Sequence, residues 1–209
     1  MKKRKSSLPF VGLVGAVLAA LTFSACASDG GDTLFGYVPP STKNSANVTV
    51  TEAGESTPFK LRAAEGGLLI VYFGYTHCPD VCPTTLVAIK NAKKKVGAAL
   101  ATKVDLAMVT VDPERDTADV LPRYLSSFTD RYHALIPASD AELRAAQKPF
   151  GATSSVTKTA DGEVKVVHGG TAYIVDEHGD VVDEWPFGLD AASMAHDLGI
   201  LLNQGKATT

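Results

Sequence analysis

The chain has 209 residues, of which 45 % are hydrophobic, and its formal net charge is −3. This length and composition predict a single domain with a real hydrophobic core once the N-terminus is set aside. The small acidic excess is typical of a soluble domain and does not favour binding to nucleic acid, so we expect no nucleic-acid partner.

The N-terminus has the features of an export signal. Residues 2–5 are basic, and the apolar stretch at 10–23 is shorter than the roughly 20 residues of a membrane-spanning helix. The small residues before Cys26 resemble a bacterial lipoprotein signal, although Phe23 stands where leucine is usual. We therefore expect a lipoprotein-type signal peptide at 1–26, with Cys26 lipidated at the extracytoplasmic face of the cell membrane. The alternatives are an ordinary signal peptide or an uncleaved anchor, and both also export the domain.

The next segment predicts a tether followed by a hairpin. Residues 27–45 are rich in Gly, Pro, Ser, Thr and Asn, a composition typical of a flexible linker. The folded domain is expected to span 46–204 and to be followed by a polar tail at 205–209. Valines alternate at 47–51 and a turn separates them from 59–61, so an N-terminal β-hairpin is predicted here.

A pair of cysteines lies between a predicted strand and a predicted helix. The apolar run at 68–73 indicates a buried central strand, and 84–96 has the apolar periodicity of a helix. Because proline inside a helix loses a hydrogen bond, we expect the regular helix to begin at about Pro83. Cys78 and Cys82 then lie on its entry turn, where backbone N–H groups stabilise a thiolate. Their spacing lets both sulfurs face one point.

The rest of the chain alternates between strand and helix patterns. Asp116 is expected to cap a helix from 117 to about 128, with a break or second start at Pro122. The other predicted elements are strands at 104–111, 133–137, 164–167, 171–175 and 180–183, a hairpin turn at Asp161-Gly162, a helix from Asp140 to about 150, and a last helix at 191–202 capped by Asp190. This order predicts an α/β fold, thioredoxin-like in plan, with a mixed central sheet flanked by helices.

The number of cysteines limits the roles that Cys78 and Cys82 can have. The chain has three cysteines, and lipidation of Cys26 would leave Cys78 and Cys82. Such a pair in an oxidising compartment can be a structural disulfide, a redox couple or a metal site. A disulfide closing so short a loop would constrain the unfolded chain little, so a purely structural role is the least favoured of the three.

The histidines do not by themselves identify a third member of the site. His168 ends a predicted strand and precedes two glycines, which allow close approach of the backbone. His77 lies within the cysteine turn and is expected to be exposed or to support the site from outside. A lone histidine is more often structural or exposed than a ligand.

Three blocks of this sequence resemble the Sco/SenC family. Residues 72–84 read Tyr-Phe-Gly-Tyr-Thr-His-Cys-Pro-Asp-Val-Cys-Pro-Thr and match the family signature. A strand followed by Asp-Pro-x-Arg-Asp-Thr is matched at 109–117, and a histidine before a strand ending in Asp-x-x-Gly is matched at 167–179. The resemblance spans residues 59–202 and implies a thioredoxin-like, membrane-anchored protein outside the cytoplasm.

The resemblance also implies a copper-binding function. Cys78, Cys82 and His168 would bind Cu(I) and Cu(II), and the protein would assist assembly of the copper centre of cytochrome c oxidase without catalytic turnover. Its partners would be the oxidase subunit that carries this centre, another extracytoplasmic copper donor, and the membrane. Thiolates favour Cu(I) and imidazole accepts either oxidation state, whereas zinc is a less favoured occupant. Asp80 or Asp112 is a candidate weak ligand for Cu(II), although turn formation and capping are the preferred roles of Asp112 and Asp116.

Other functional classes compete with this interpretation. In a thiol-disulfide oxidoreductase, Cys78 and Cys82 would be a redox pair that keeps the cysteines of the oxidase subunit reduced. However, three residues separate them instead of two, and no proline follows His168 on the facing loop. A peroxiredoxin-like peroxidase is disfavoured because Tyr75 stands where those enzymes have threonine. A binding module with incidental cysteines is disfavoured by the specificity of the first block.

Overall fold

A computed structural model describes residues 33–55 and 57–204 of the chain. The predicted signal peptide with Cys26 and the polar tail at 205–209 lie outside these residues. Within the described ranges, no helix has the length and apolar character needed to cross a membrane. The strands are β1 Thr49–Val50, β2 Phe59–Lys60, β3 Leu68–Gly74, β4 Val104–Thr110, β5 Tyr132–Leu135, β6 Ser154–Lys158, β7 Val164–His168, β8 Ala172–Val175 and β9 Val181–Trp185; the helices are α1 Val81–Lys95, α2 Ala98–Ala101, α3 Val120–Ser126, α4 Asp140–Gln147 and α5 Ala191–Gln204.

A five-stranded mixed sheet forms the centre of the domain, in the order β5-β4-β3-β8-β9. Strands β3, β4 and β5 are parallel, whereas β8 and β9 run antiparallel to their neighbours. All seven residues of β3 are buried, as expected for a continuous apolar strand covered on both faces. Helices lie in the crossovers between the parallel strands, and α1 packs against α5. The predicted α/β fold with a mixed central sheet is therefore confirmed.

Two hairpins stand outside the central sheet, as the turn signals predict. Strand β1 pairs with β2 near the start of the domain, and β6 pairs with β7 across the Asp161-Gly162 turn. Gly162 has φ of 87°, a conformation that suits glycine at this position. The β6–β7 hairpin ends at His168, so the histidine lies at the base of the hairpin beside the central sheet.

The two prolines near helix starts have less effect than predicted. Helix α1 begins at Val81 rather than at about Pro83, so Cys82 belongs to its first turn. Helix α3 begins at Val120, not at 117, and Pro122 lies in its first turn as well. The first four N–H groups of a helix have no acceptor within the helix, so a proline among them removes no hydrogen bond.

The boundary between the predicted tether and the domain lies earlier than expected. The N–H groups of Phe35 and Gly36 donate to the buried carboxylate of Asp197 at 2.8 and 3.0 Å. Tyr37 exchanges backbone hydrogen bonds with Glu184 of β9. The part of 27–45 that the structure describes is therefore hydrogen-bonded to the domain. The sequence did not predict this, because backbone pairing leaves no hydrophobic pattern.

Candidate metal centre

The cysteine turn supports a thiolate at Cys78. Cys78 is 9 % exposed, and its Sγ accepts a hydrogen bond of 3.4 Å from the N–H of Cys82 in the first turn of α1. Burial raises the pKa of this thiol, but hydrogen bonds from His168 and from the N–H groups of Cys82 and Asp80 outweigh it and lower the pKa to about 7. Cys78 is thus thiolate in part at neutral pH.

Cys82, on the same turn, lies in an environment that raises the pKa of its thiol. Its side chain is fully buried, and burial raises its pKa to about 12, although the N–H of Tyr75 and the nearby hydroxyl of Tyr72 oppose this rise. Without a metal ion, Cys82 therefore keeps its proton at neutral pH. A bound cation would favour the thiolate, because a coordinating thiol is deprotonated.

His168 faces Cys82 through its Nε2 atom. Its Nδ1 lies 2.7 Å from the carbonyl oxygen of Gly169, which can only accept, so Nδ1 carries a ring proton. The other ring nitrogen, Nε2, lies 3.5 Å from Cys82 Sγ. The ring makes edge-to-face contacts with Tyr75 and Tyr72, at centroid distances of 5.5 and 6.4 Å. The hydrogen bond and the two aromatic rings orient Nε2 toward the cysteines.

Two sulfur atoms and one imidazole nitrogen thus converge. The ligand atoms of Cys78, Cys82 and His168 all lie within 4.8 Å of one another, and both cysteines are free thiols. Two soft thiolates and a neutral imidazole carry a charge of −2, so the site would be −1 with Cu(I) and neutral with Cu(II). This donor set suits copper in either oxidation state.

A buried carboxylate holds the cysteine turn in place. Asp116 is fully buried and accepts hydrogen bonds from the Thr76 N–H at 3.0 Å, the Thr76 hydroxyl at 2.5 Å and the Thr110 hydroxyl at 2.6 Å. The predicted cap role of Asp116 is wrong, because Asp119 occupies the N-cap position of α3 and makes no side-chain cap bond. Asp116 instead connects the loop after β4 to the turn that carries Cys78.

The other candidate ligands lie outside the cluster of three. Asp112 is buried and pairs with Arg115, and Asp80 accepts a hydrogen bond from the Thr84 hydroxyl. Neither carboxylate belongs to the metal-ligand group found among the described residues, so the structure does not support either as a fourth ligand. His77 is half exposed, with Nδ1 3.1 Å from the Thr76 hydroxyl, which agrees with its expected place outside the ligand set.

Three remaining histidines lie away from this cluster. His133 stacks on Phe59 and bonds to Glu52, His178 is in an exposed turn, and His196 lies beside Asp197 in α5. Among the described residues, none of these three histidines joins the two cysteines in a group of candidate metal ligands.

Sequence reasoning missed the roles of two residues that surround the cysteines. Tyr72 is fully buried in β3 beneath Cys82, and its place in an apolar run indicates only a core residue. The partners of Asp116 include Thr76, which is 40 residues away in the chain, and no local pattern reports such a contact. The second signature block was the available signal for Asp116, since it places this residue after the strand next to β3.

The family profile described as SCO1/SenC matches residues 49–203, which include all three clustered side chains. The chain belongs to the SCO1/SenC family. Copper-bound ScoI from Bradyrhizobium japonicum is 30 % identical, with a TM-score of 0.62, over 72 % of this chain and 94 % of that one. Apo Sco1 from Thermus thermophilus is 29 % identical, with a TM-score of 0.62, over 86 % of this chain and 99 % of that one.

Curated SCO proteins match a smaller share of their own length. The mitochondrial SCO2 homologue of Danio rerio is 32 % identical over 125 residues, which are 56 % of this chain and 43 % of that protein. This chain spans about half the length of the curated relatives it matches. The sequence resemblance to the Sco/SenC family is thus confirmed for the region that carries the candidate metal centre.

Proposed function

We propose that this protein is a membrane-anchored, extracytoplasmic copper chaperone that binds Cu(I) and Cu(II) through Cys78, Cys82 and His168. The observation that carries the proposal is the convergence of the three ligand atoms within 4.8 Å of one another. The copper bound in the Bradyrhizobium japonicum relative supports the choice of metal. The export signal ending at Cys26 supports lipid anchoring at the extracytoplasmic face of the membrane.

The client that we propose is the subunit of cytochrome c oxidase that carries its copper centre. Family membership and the signature at 72–84 support this client, and another extracytoplasmic copper donor would load the site. The site suits transfer because His168 is partly exposed and Cys78 retains 9 % exposure, whereas Cys82 is fully buried. Copper would pass by ligand exchange, in which client ligands replace the accessible ones first. No bond in a substrate has to be broken, so no catalytic residue is required.

A second function is favoured by the difference in pKa between the thiols of Cys78 and Cys82. Cys78, with its pKa lowered to about 7, is suited to attack a disulfide, and Cys82 lies close enough to resolve the mixed disulfide. The protein would then reduce the cysteines of the oxidase subunit. The two functions exclude each other at any moment, because an oxidised Cys78–Cys82 pair cannot bind copper as two thiolates.

Transfer experiments with an isolated copper-centre domain of an oxidase distinguish the two functions. Copper-loaded protein is mixed with the reduced client, and metal-free reduced protein is mixed with the oxidised client. The chaperone proposal predicts that copper moves to the reduced client while Cys78 and Cys82 remain reduced. Reduction of the client disulfide by the metal-free protein, without copper transfer in the first mixture, would contradict it and establish the reductase function.

A further inference from the structure

Two buried hydroxyl groups beneath the candidate metal centre have no hydrogen-bond partner. Tyr72 is 0 % exposed in β3 and Thr85 is 5 % exposed in α1, and neither hydroxyl makes a hydrogen bond of normal geometry within the part of the chain that is described. A buried hydroxyl without a partner destabilises the fold, because the group has lost its hydrogen bonds to water and gained none. Buried polar groups are nearly always paired, so these two exceptions need a reason.

The Tyr72 ring and the Cys82 sulfur both lie next to the Cα atom of Gly74. A methyl group added at Gly74 would lie 2.8 Å from Tyr72 Cε1 and 2.9 Å from Cys82 Sγ. The Tyr72 hydroxyl faces both Cys82 and Thr85. Because Thr85 follows Cys82 by three residues in α1, both side chains lie on the same face of that helix. The two hydroxyls therefore form a row that ends at the sulfur.

A thiolate is the acceptor that this row lacks in the structure. A protonated thiol is a weak hydrogen-bond acceptor, whereas a thiolate accepts charge-assisted bonds of about twice the strength of neutral ones. Cys82 becomes a thiolate when it ligates a metal ion.

We propose that Tyr72 is a positioning residue for the metal, whose hydroxyl donates a hydrogen bond to Cys82 Sγ once that sulfur is a thiolate, while Thr85 donates to the Tyr72 oxygen. This inference rests on the proposed copper-binding function. A hydrogen bond to a ligating sulfur withdraws electron density from it and stabilises the reduced metal. The row of hydroxyls would thus favour Cu(I) over Cu(II). Loss of a group that supports a ligand typically weakens metal binding by about 10–100-fold.

The test compares Tyr72→Phe with Tyr124→Phe in the full-length chain carrying Cys26→Ser, which leaves only the two site cysteines. Tyr124 is a matched control because its hydroxyl is also buried without a partner. Cu(I) and Cu(II) affinities are measured by chelator competition, together with the sulfur-to-Cu(II) charge-transfer band. Tyr72→Phe is expected to lower the ratio of Cu(I) to Cu(II) affinity about tenfold, equivalent to about 59 mV for one electron. The band moves to lower energy. Tyr124→Phe changes both quantities far less, because the Tyr124 hydroxyl lies near the cysteines without a hydrogen bond to either sulfur.

A metal-free measurement separates this inference from the proposed function. Reduced protein is treated with iodoacetamide at about pH 10, where part of Cys82 is thiolate, and alkylation of Cys82 is followed by peptide mass spectrometry. Because only the thiolate reacts, loss of the hydrogen bond from Tyr72 is expected to slow alkylation of Cys82 roughly two- to tenfold. If the wild type binds no copper, the proposed function fails and this alkylation rate alone decides the role of Tyr72.

Two outcomes would overturn the role of Tyr72. One is a Tyr72→Phe variant whose affinity ratio and rate of Cys82 alkylation equal those of the wild type. The other is an equal change in Tyr124→Phe, which would indicate a general effect of losing a buried hydroxyl. Phe fills the same space, so urea unfolding of Tyr72→Phe is expected to match or exceed the wild type in stability. Thr85→Val is expected to change the affinity ratio in the same direction by a smaller factor.

Discussion

Replacement of Asp116 by asparagine distinguishes the observed role of this carboxylate from the cap role that the sequence predicts. Asparagine caps a helix about as well as aspartate, so a cap residue would tolerate the change. In the structure, however, Asp116 accepts three hydrogen bonds, from the Thr76 N–H, the Thr76 hydroxyl and the Thr110 hydroxyl. An amide at this position has one oxygen to accept them, and its NH₂ group would face donors.

The size of the effect follows from these contacts. A hydrogen bond to a charged group contributes about 1.5–3 kcal/mol, so losing one or two bonds to the Asp116 carboxylate is expected to cost about 2–4 kcal/mol of unfolding free energy. For a domain of this size the melting temperature falls by roughly 5–15 °C. Because Asp116 holds the turn before Cys78, Cu(I) affinity is also expected to fall about tenfold.

Urea unfolding and Cu(I) competition measure these two effects. Asp119→Asn is the matched control, since it removes the same charge from an exposed residue that makes no side-chain cap bond. The control is expected to stay within about 0.5 kcal/mol of the wild type. A variant Asp116→Asn that is as stable as the control and binds copper equally well would refute the argument that this carboxylate holds the cysteine turn.

Three further predictions concern the thiols, the space beside them and a buried acid. Iodoacetamide is expected to alkylate Cys78 first, with a rate that rises with pH through about 7, while Cys82 with its pKa of about 12 reacts far more slowly; peptide mass spectrometry after short exposures would detect the opposite order. Gly74→Ala is expected to displace the Cys82 sulfur and to cost about 1–3 kcal/mol in urea unfolding, whereas Gly169→Ala, with open space around it, is expected to be neutral. Burial and a neighbouring carboxylate raise the pKa of Asp183, so its contribution to stability falls as pH rises above the ordinary aspartate value of 3.8. Asp183→Asn removes that slope, and unfolding free energies equally pH-dependent in both proteins would contradict the assignment.

The parts of the fold that depend on local pattern could be predicted from the sequence. The apolar run of β3 and the Asp161-Gly162 turn each lie within a few residues, and both are found where the pattern predicts them. Helix starts were less accurate at Pro83 and Pro122, because a proline is harmless in the first turn and the pattern does not reveal where that turn begins. Pairing of the segment around Tyr37 with β9 uses backbone groups, which any sequence provides.

The candidate site could be predicted in part for the same reason. Cys78 and Cys82 are close in sequence, and their spacing on a helix entry turn already predicts that both sulfurs face one point. His168 is 86 residues from Cys82, so only resemblance to a family brought it into the expected ligand set. Tyr72 and Asp116 support the cysteines through contacts across strands, and in the sequence each has a plainer interpretation as a core residue or a helix cap.

The central claim is that His168 completes a copper site with the two cysteines. The most direct measurement is a Cu(I) competition titration with a colorimetric chelator, using reduced full-length protein with Cys26→Ser, in the wild type, His168→Ala and His178→Ala. His178 is an exposed histidine in a surface turn, so its variant controls for the loss of a surface imidazole. We expect one Cu(I) per chain in the wild type and in His178→Ala, and affinity weakened at least about tenfold in His168→Ala. Equal affinity in all three proteins would contradict the claim and would leave the cysteine pair as a simple dithiol.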